Sequence, residues 1–290
     1  MGEKTLAAHV EDFLADLAQA NRSVHTQRAY ATDLRQFCNH YPGSISGVTV
    51  AVLRGFFGTL SQLSPAGRAR KQAALGSFLR WAYRQELIAA NPMERIDRVQ
   101  PDPPRVHGLK RDAIEAILAL IPASKSRDRV LFRLLLETGI RIGEALAIHI
   151  EDLDLTPDDE HLHVIGKGKG RRTILLDDPK LVVQLRQYLK KKGYRYGPLF
   201  RAEKNGAGGA LRYQSVQEHW ERYCEQAGIV CTLHQLRHTH ATELVNEGVS
   251  LGTIRRRLGH KNLQTTLRYA EQNDASADAE VRAWRRRRTK

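Results

Sequence analysis

His234-Gln235-Leu236-Arg237 sets an imidazole and a guanidinium three residues apart, so on a helix both project from one face and can grip one anion together. Other reactive types stand in short, distinctive contexts: Arg141 in Thr138-Gly139-Ile140-Arg141-Ile142-Gly143-Glu144, His260 in Leu258-Gly259-His260, and Tyr269 in Thr265-Thr266-Leu267-Arg268-Tyr269. Taken singly, each has a plain structural reading. A lone Tyr is usually core or surface. Arg141 and Glu144, three apart, could be a surface ion pair worth only about 0.2–0.5 kcal/mol. His234 and His238 have the four-residue spacing of a helical zinc pair, with His240 close by. A zinc site there lacks the glutamate of an HExxH motif, and Arg237 between the two rings would repel a cation. We therefore expect no metal.

The 290 residues carry 46 Lys plus Arg against 32 Asp plus Glu, for a net charge of +14 and a pI near 9.9, and 41% are hydrophobic. Such a chain can bury a core, and its charge favours a polyanionic partner, nucleic acid first. The three cysteines, Cys38, Cys224 and Cys231, form no CxxC pair and are expected to be reduced, buried thiols. The N-terminal stretch carries acids through its apolar run and has no small-residue cleavage site. No apolar run approaches the roughly 20 residues of a membrane span. A cytoplasmic protein is expected.

Several elements must position those residues. Leu6, Val10, Phe13, Leu14 and Leu17 predict an amphipathic helix ending near Asn21. A second helix carries Tyr30, Leu34 and Phe37 on one stripe, starting after the capping candidates Ser23 and Thr26. A third apolar run spans 50–63 and stops at Ser64-Pro65. A fourth, from about Gly67 to Ile88, buries Leu75, Phe78, Leu79 and Ala82 and ends before Asn91-Pro92. These make a small helical bundle. Residues 98–108, with Pro101, Pro103 and Pro104, read as an extended linker. The expected domains are thus 1–97, a linker over 98–108, and 109–290. In the second, 111–120 and 128–148 look helical. Two β-rich runs, 161–165 and 171–176, flank Gly166-Lys167-Gly168-Lys169-Gly170 as a hairpin with a basic tip. Helices resume beyond Leu181, with Gly248 and Gly259 as stops and Ser250 and Asn262 as restarts. The fold class is mainly α with a small β-sheet.

In the order and intervals of these motifs the chain resembles the tyrosine recombinase (phage-type integrase) superfamily, and in length and layout its simple Xer-type members. That family's pattern has an Arg in TGxRxxE, a Lys on a β-hairpin, HxxR on a later helix, LGH, and then a Tyr. Here the positions are Arg141, Lys167, His234, Arg237, His260 and Tyr269, with Glu144 matching the acidic companion of the first Arg. Thr26, Tyr30, Asp33-Leu34 and Phe37 match the family's core-binding domain more weakly. The resemblance implies a SAM-like helical N-terminal domain and an α+β catalytic domain.

It also implies a chemistry that these residue types suit. Two guanidiniums, Arg141 and Arg237, can neutralise the non-bridging oxygens of a phosphodiester without changing protonation state. Tyr269 is a poor nucleophile at neutral pH until a base or a positive field helps it lose its proton, and His234 is the expected base. Lys167 could supply the proton to the departing 5′-oxygen. His260 would hydrogen-bond the phosphate or orient Tyr269. The bond energy is kept in a 3′-phosphotyrosyl ester, so no cofactor, ATP or metal is expected. The glycine spacing in Gly166-Lys167-Gly168-Lys169-Gly170-Arg171 is not that of a nucleotide-binding loop.

Basic residues Arg68, Arg70, Lys71, Arg80 and Arg84 on the fourth helix, and Lys169 and Arg171 on the hairpin, are DNA-contact candidates, with a solvated helix face as the alternative. The four arginines 285–288 would add salt-dependent affinity. The expected partner is double-stranded DNA with inverted half-sites, bound by a homotetramer alone or with a second recombinase or accessory protein. The rival functions are a type IB topoisomerase-like relaxing enzyme and a DNA-binding regulator without catalysis.

Overall fold

The computed structural model describes residues 4–20, 22–101, 108–166, 170–202, 209–260, 266–267, 282 and 285–286. The chain divides into two compact units, Met1–Arg105 and Val106–Lys290.

In the first unit, α1 (Leu6–Gln19), α2 (Val24–His40), α3 (Val50–Gly58) and α4 (Pro65–Arg84) pack their apolar stripes together. Phe13, Leu34, Phe37, Phe56, Leu75 and Phe78 form the centre of that core. Edge-on aromatic pairs, Phe13 with Phe78 and Phe37 with Phe56, fix the packing at 5.6 and 5.2 Å between ring centroids.

Three helix boundaries differ from expectation. The apolar run 50–63 is helical only to Gly58, because the amides of Thr59 and Leu60 turn back to Phe56 and Phe57 in a tightened last turn. Pro65 does not stop a helix but starts one. Ser64 accepts the Gly67 amide at 3.2 Å, and proline at the first helical position costs nothing, since its missing N–H would have had no partner. That helix closes at Arg84, where Glu86 takes the left-handed conformation and Leu87 N–H reaches back to the Ala82 carbonyl. Ile88 is buried beyond the helix end. Residues 102–107 of the expected linker lie outside the described residues.

In the second unit, α5 (Arg111–Ala119) precedes α6 (Ser126–Thr138), which is buried along most of its length. Helix α7 (Ile142–Leu146) follows. The stretch 128–148 is therefore two helices rather than one, broken where Gly139 adopts φ +62°. A Cβ at Gly139 would lie 2.6 Å from both His240 Cδ2 and Leu258 Cδ2, so neither the backbone nor the space accepts another residue. Strands β2 (His161–Ile165) and β3 (Arg171–Leu175) form the antiparallel hairpin, pairing Leu162 with Ile174. The short β1 (Leu153–Asp154), which carries no alternating pattern long enough to read, adds a third strand.

Helices α8 (Pro179–Lys192), α9 (Tyr213–Ala227), α10 (Leu233–Asn246) and α11 (Leu251–Leu258) complete the described part. Trp220 of α9 packs at a tilt against Phe132 of α6, 4.8 Å between ring centroids, and donates to the Cys231 carbonyl. All three cysteines are free, with Cys224 and Cys231 buried as expected; Cys38 is only partly covered. Among the described residues no helix is long and apolar enough to cross a membrane.

Candidate active site

Arg141 lies at the break between α6 and α7 as the N-cap of α7, in extended conformation. Glu144, one turn on, accepts the Arg141 backbone N–H at 2.9 Å and its Nη1 at 3.2 Å. The carboxylate thereby caps the helix N-terminus and orients the arginine that precedes it. Desolvation, the largest single influence on Glu144, pushes its pKa up; hydrogen bonds from Arg172 and from the Arg141 amide, with both guanidinium charges, hold it below the ordinary value. It stays ionised.

Arg237 of α10 is buried. Its Nη1 donates to the Gly139 carbonyl at 2.6 Å and its Nη2 to the Leu258 carbonyl at 2.9 Å. Gly139 is the C-cap of α6 and Leu258 the last residue of α11, so one cation sits at the carbonyl ends of two helices, where their dipoles favour it. Its work includes holding the segment before Arg141 and the turn before His260. The sequence suggested only anion binding for this side chain.

Exposed His234 stands one turn before Arg237 on α10. Partial desolvation of the ring, then the charges of Arg237 and Arg141, hold its pKa below the usual histidine value. His234 packs edge-on against His238, with 4.3 Å between ring centroids. Buried His260 shares a 2.9 Å hydrogen bond with the Thr266 hydroxyl. Burial, then Arg237, Arg141 and Arg172, push its pKa down to about 4. Both imidazoles are neutral at pH 7, able to accept a proton or share a hydrogen bond. Four residues from three separate motifs thus meet in one strongly positive neighbourhood.

Lys167, Lys169 and Tyr269 lie outside the described residues. Thr266, three positions before Tyr269 in sequence, is buried and bonded to His260.

Two contributors escaped the sequence reading. Arg172 on the hairpin is turned inward: it makes a bidentate pair with Glu144 and donates to the Arg257 carbonyl. Arg257 donates to His240 Nε2 at 3.1 Å and to the Glu137 carbonyl at 3.0 Å. His240 is thereby engaged with an arginine rather than offered to a metal. Among the described residues no group of three or more His, Cys, Asp and Glu side chains is placed to hold a metal ion.

Of the basic candidates on α4, Arg80 and Arg84 are exposed and Arg68 is partly covered. Lys71 departs from the expected DNA-facing stripe. It is buried, with its ammonium held by Asp33 at 2.8 Å and Gln36 at 2.6 Å, and Arg70 is tied to the same aspartate. Asp33, which the sequence motif contains without a reason, is the buried anion that organises this cluster. Arg171 on the hairpin is exposed.

A helical unit followed by a mainly helical unit with a three-stranded sheet, and a cationic site assembled from TGxRxxE, HxxR and LGH, define a class of enzymes that act on DNA phosphodiesters. Comparison with known proteins agrees. The Phage integrase family model matches residues 108–276, and the model for the Phage integrase N-terminal SAM-like domain matches residues 10–86. The chain is 30% identical over 283 residues to tyrosine recombinase XerC of Myxococcus xanthus, covering 91% of this chain and 90% of that protein. It is 28% identical over 265 residues to tyrosine recombinase XerA of Thermococcus kodakarensis, covering 90% of each. Its fold is similar to that of the XerH site-specific recombinase bound to a palindromic difH substrate, with TM-score 0.76, 22% identity, and coverage of 91% of this chain and 81% of that one. It is also similar to a lambda integrase tetramer bound to a Holliday junction, with TM-score 0.77, 17% identity, and coverage of 92% and 78%. The chain belongs to the phage integrase family of tyrosine recombinases, enzymes of site-specific DNA breakage and rejoining.

Proposed function

We propose that this recombinase cleaves one DNA strand by transesterification at Tyr269. The phenolic oxygen attacks the scissile phosphorus, a 3′-phosphotyrosyl bond forms, the bond to the 5′-oxygen breaks, and that oxygen leaves as a hydroxyl. His234 takes the phenol proton and Lys167 supplies one to the leaving oxygen. Arg141 contributes its exposed guanidinium to the phosphate, and Arg237 a buried positive charge fixed by two carbonyls. His260 orients the Tyr269 segment through Thr266 or hydrogen-bonds the phosphate. A 5′-hydroxyl from a partner strand reverses the same steps, so neither ATP nor a metal enters the reaction.

One observation carries this reading. Arg237 bonds the carbonyls of Gly139 and Leu258, each two residues before another member of the set, while His234 shares its helix and feels the charge of Arg141. Segments about 100 residues apart in sequence are held around one guanidinium, and none of those contacts is needed for a surface ion pair.

The domains over 1–97 and 109–290, joined through 98–108, would grip duplex DNA carrying inverted half-sites, the helical unit in the major groove and the catalytic unit over the cleavage point. Strand exchange requires two duplexes with two subunits each. A homotetramer on DNA follows, alone or with a second recombinase or accessory protein, in the cytoplasm. The lambda integrase tetramer on a Holliday junction supports that assembly by likeness of fold.

The test is covalent trapping. Wild type and Tyr269→Phe are incubated with supercoiled plasmid carrying the gene's own flanking DNA, quenched in detergent, and assayed for protein on a 3′ end. A Tyr269-dependent adduct at one discrete site is expected. Adducts scattered over unrelated sequence, or an adduct that persists in Tyr269→Phe, would overturn the proposal.

A further inference from the structure

Glu144 sits between two arginines, and the division of its charge bears on how Arg141 works. Its side chain is only 8% exposed, while that of Arg141 is 44% exposed. The carboxylate receives four hydrogen bonds. Two come from Arg141, through the backbone N–H and Nη1. Two come from Arg172, Nη1 to Oε1 at 3.1 Å and Nη2 to Oε2 at 2.8 Å. The second pair is the parallel fork that binds a carboxylate most strongly.

Arg172 is itself anchored. Its Nε donates to the Arg257 carbonyl at 3.0 Å. Gly259, at φ +66°, lies so close that a Cβ there would stand 2.9 Å from Arg172 Nη1. The guanidinium is therefore held between the sheet, the N-terminus of α7 and the turn that leads to His260, with its side chain only 15% exposed.

We propose that Arg172 is a positioning residue that takes up most of the Glu144 charge and so leaves the guanidinium of Arg141 available to the scissile phosphate. An ionised, largely buried carboxylate needs a cationic partner, and with Arg172 absent the nearest one is Arg141, already at 3.2 Å. Arg141 would then be drawn into a full ion pair, its charge neutralised and its fork aimed at Glu144 instead of at the substrate. Glu144 orients Arg141 usefully only while a second arginine shares it. This inference rests on the proposed role of Arg141 at the phosphate.

The experiment uses the full-length protein and a suicide duplex containing the site mapped by trapping, nicked so that cleavage releases a short fragment. Single-turnover formation of the covalent complex is measured at saturating protein, with duplex affinity measured separately. Arg172→Met, which keeps the stem and removes the donors, is expected to slow cleavage about a hundredfold, the scale of losing one positioned charge contact, with affinity within about threefold. Adding Glu144→Gln removes the competing charge, so the double variant should recover at least about tenfold of that loss. Arg172→Lys, which retains a cation beside Glu144, should cleave faster than Arg172→Met.

A double variant no faster than Arg172→Met would make Arg172 a mere brace and overturn the proposal. So would wild-type cleavage by Arg172→Met. Arg141→Ala separates the two readings. If it cleaves like wild type, the role of Arg141 itself falls; if it is inactive while the double variant shows no recovery, only the charge sharing falls.

Discussion

Asp33 in the first unit and Glu144 in the second are built to one plan: a buried carboxylate holding one well-covered cation and one cation that reaches solvent. Lys71 and Arg70 play those parts for Asp33, and Arg172 and Arg141 for Glu144. The exposed arginines are alike, 49% for Arg70 and 44% for Arg141. The surroundings differ. Beside Lys71 the further partner is the neutral amide of Gln36, so the cluster closes on itself. Beside Glu144 stand Arg237 and two neutral imidazoles, so three guanidiniums gather near one carboxylate where Asp33 faces two cations. A buried ion pair by itself therefore indicates nothing about function. An uncompensated surplus of charge around it, opening to solvent, does.

The sharpest way to break this comparison is to remove each anion. Asp33→Ala leaves the buried Lys71 ammonium without its carboxylate and should destabilise the first unit by about 3–5 kcal/mol, read as a lowered midpoint in denaturant. Glu144→Ala should instead reduce cleavage far more than stability, because Arg141 can turn to solvent while Arg172 and Arg237 keep their bonds to backbone carbonyls. If Asp33→Ala unfolds at the wild-type midpoint, the first cluster is not the closed structural pair described.

Next in size is Gly139→Ala. A side chain at φ +62°, set against His240 and Leu258, should cost about 2–4 kcal/mol and displace the carbonyl that Arg237 holds, lowering both thermal stability and cleavage. Gly193, the C-cap of α8, has φ +64° but open space around its Cβ position, so Gly193→Ala should cost only about 1 kcal/mol. Equal losses in calorimetry would contradict the packing argument.

A smaller effect lies in the pH dependence. Burial, followed by neighbouring positive charge, places His238 at about 4, His240 at about 3 and His260 at about 4. Unfolded, each titrates near 6.5. The folded protein thus binds fewer protons between those values. Stability is full above about pH 6.5 and is lost as the pH falls from there toward 4. Melting temperatures measured from pH 7.5 to 4.5 should decline, and His240→Gln, which keeps an acceptor for Arg257, should flatten the decline. A melting temperature that rises on acidification would contradict the burial of these rings.

The smallest expected effect is at the surface. Arg80→Ala or Arg84→Ala should weaken DNA binding for all sequences and reduce the salt slope by about one each, where Lys71→Met should leave that slope unchanged.

Much of the site was legible because its motifs carry their own local geometry. TG before Arg141, HxxR on one helix face and LG before His260 each state a turn or a helix, and the structure contains them. What was not legible depends on partners far along the chain. Arg172 meets Glu144 from 28 residues away and Arg257 from 85, so its side chain could not be told from those of its basic neighbours. Lys71 finds Asp33 across 38 residues, and without that contact it reads as one more surface charge on a basic helix. Helix limits failed for a local reason. Pro65 is compatible both with an end and with a first turn, and only the Ser64 cap decides between them.

The most direct measurement compares Arg141→Ala with Arg70→Ala in single-turnover formation of the covalent Tyr269–DNA complex at saturating protein. The two arginines are similarly exposed and each is paired with a buried carboxylate. Arg141→Ala is expected to lose about a thousandfold or more in cleavage rate while Arg70→Ala stays within a few-fold of wild type. Comparable losses in the two variants, or a wild-type rate in Arg141→Ala, would contradict the proposed role of Arg141.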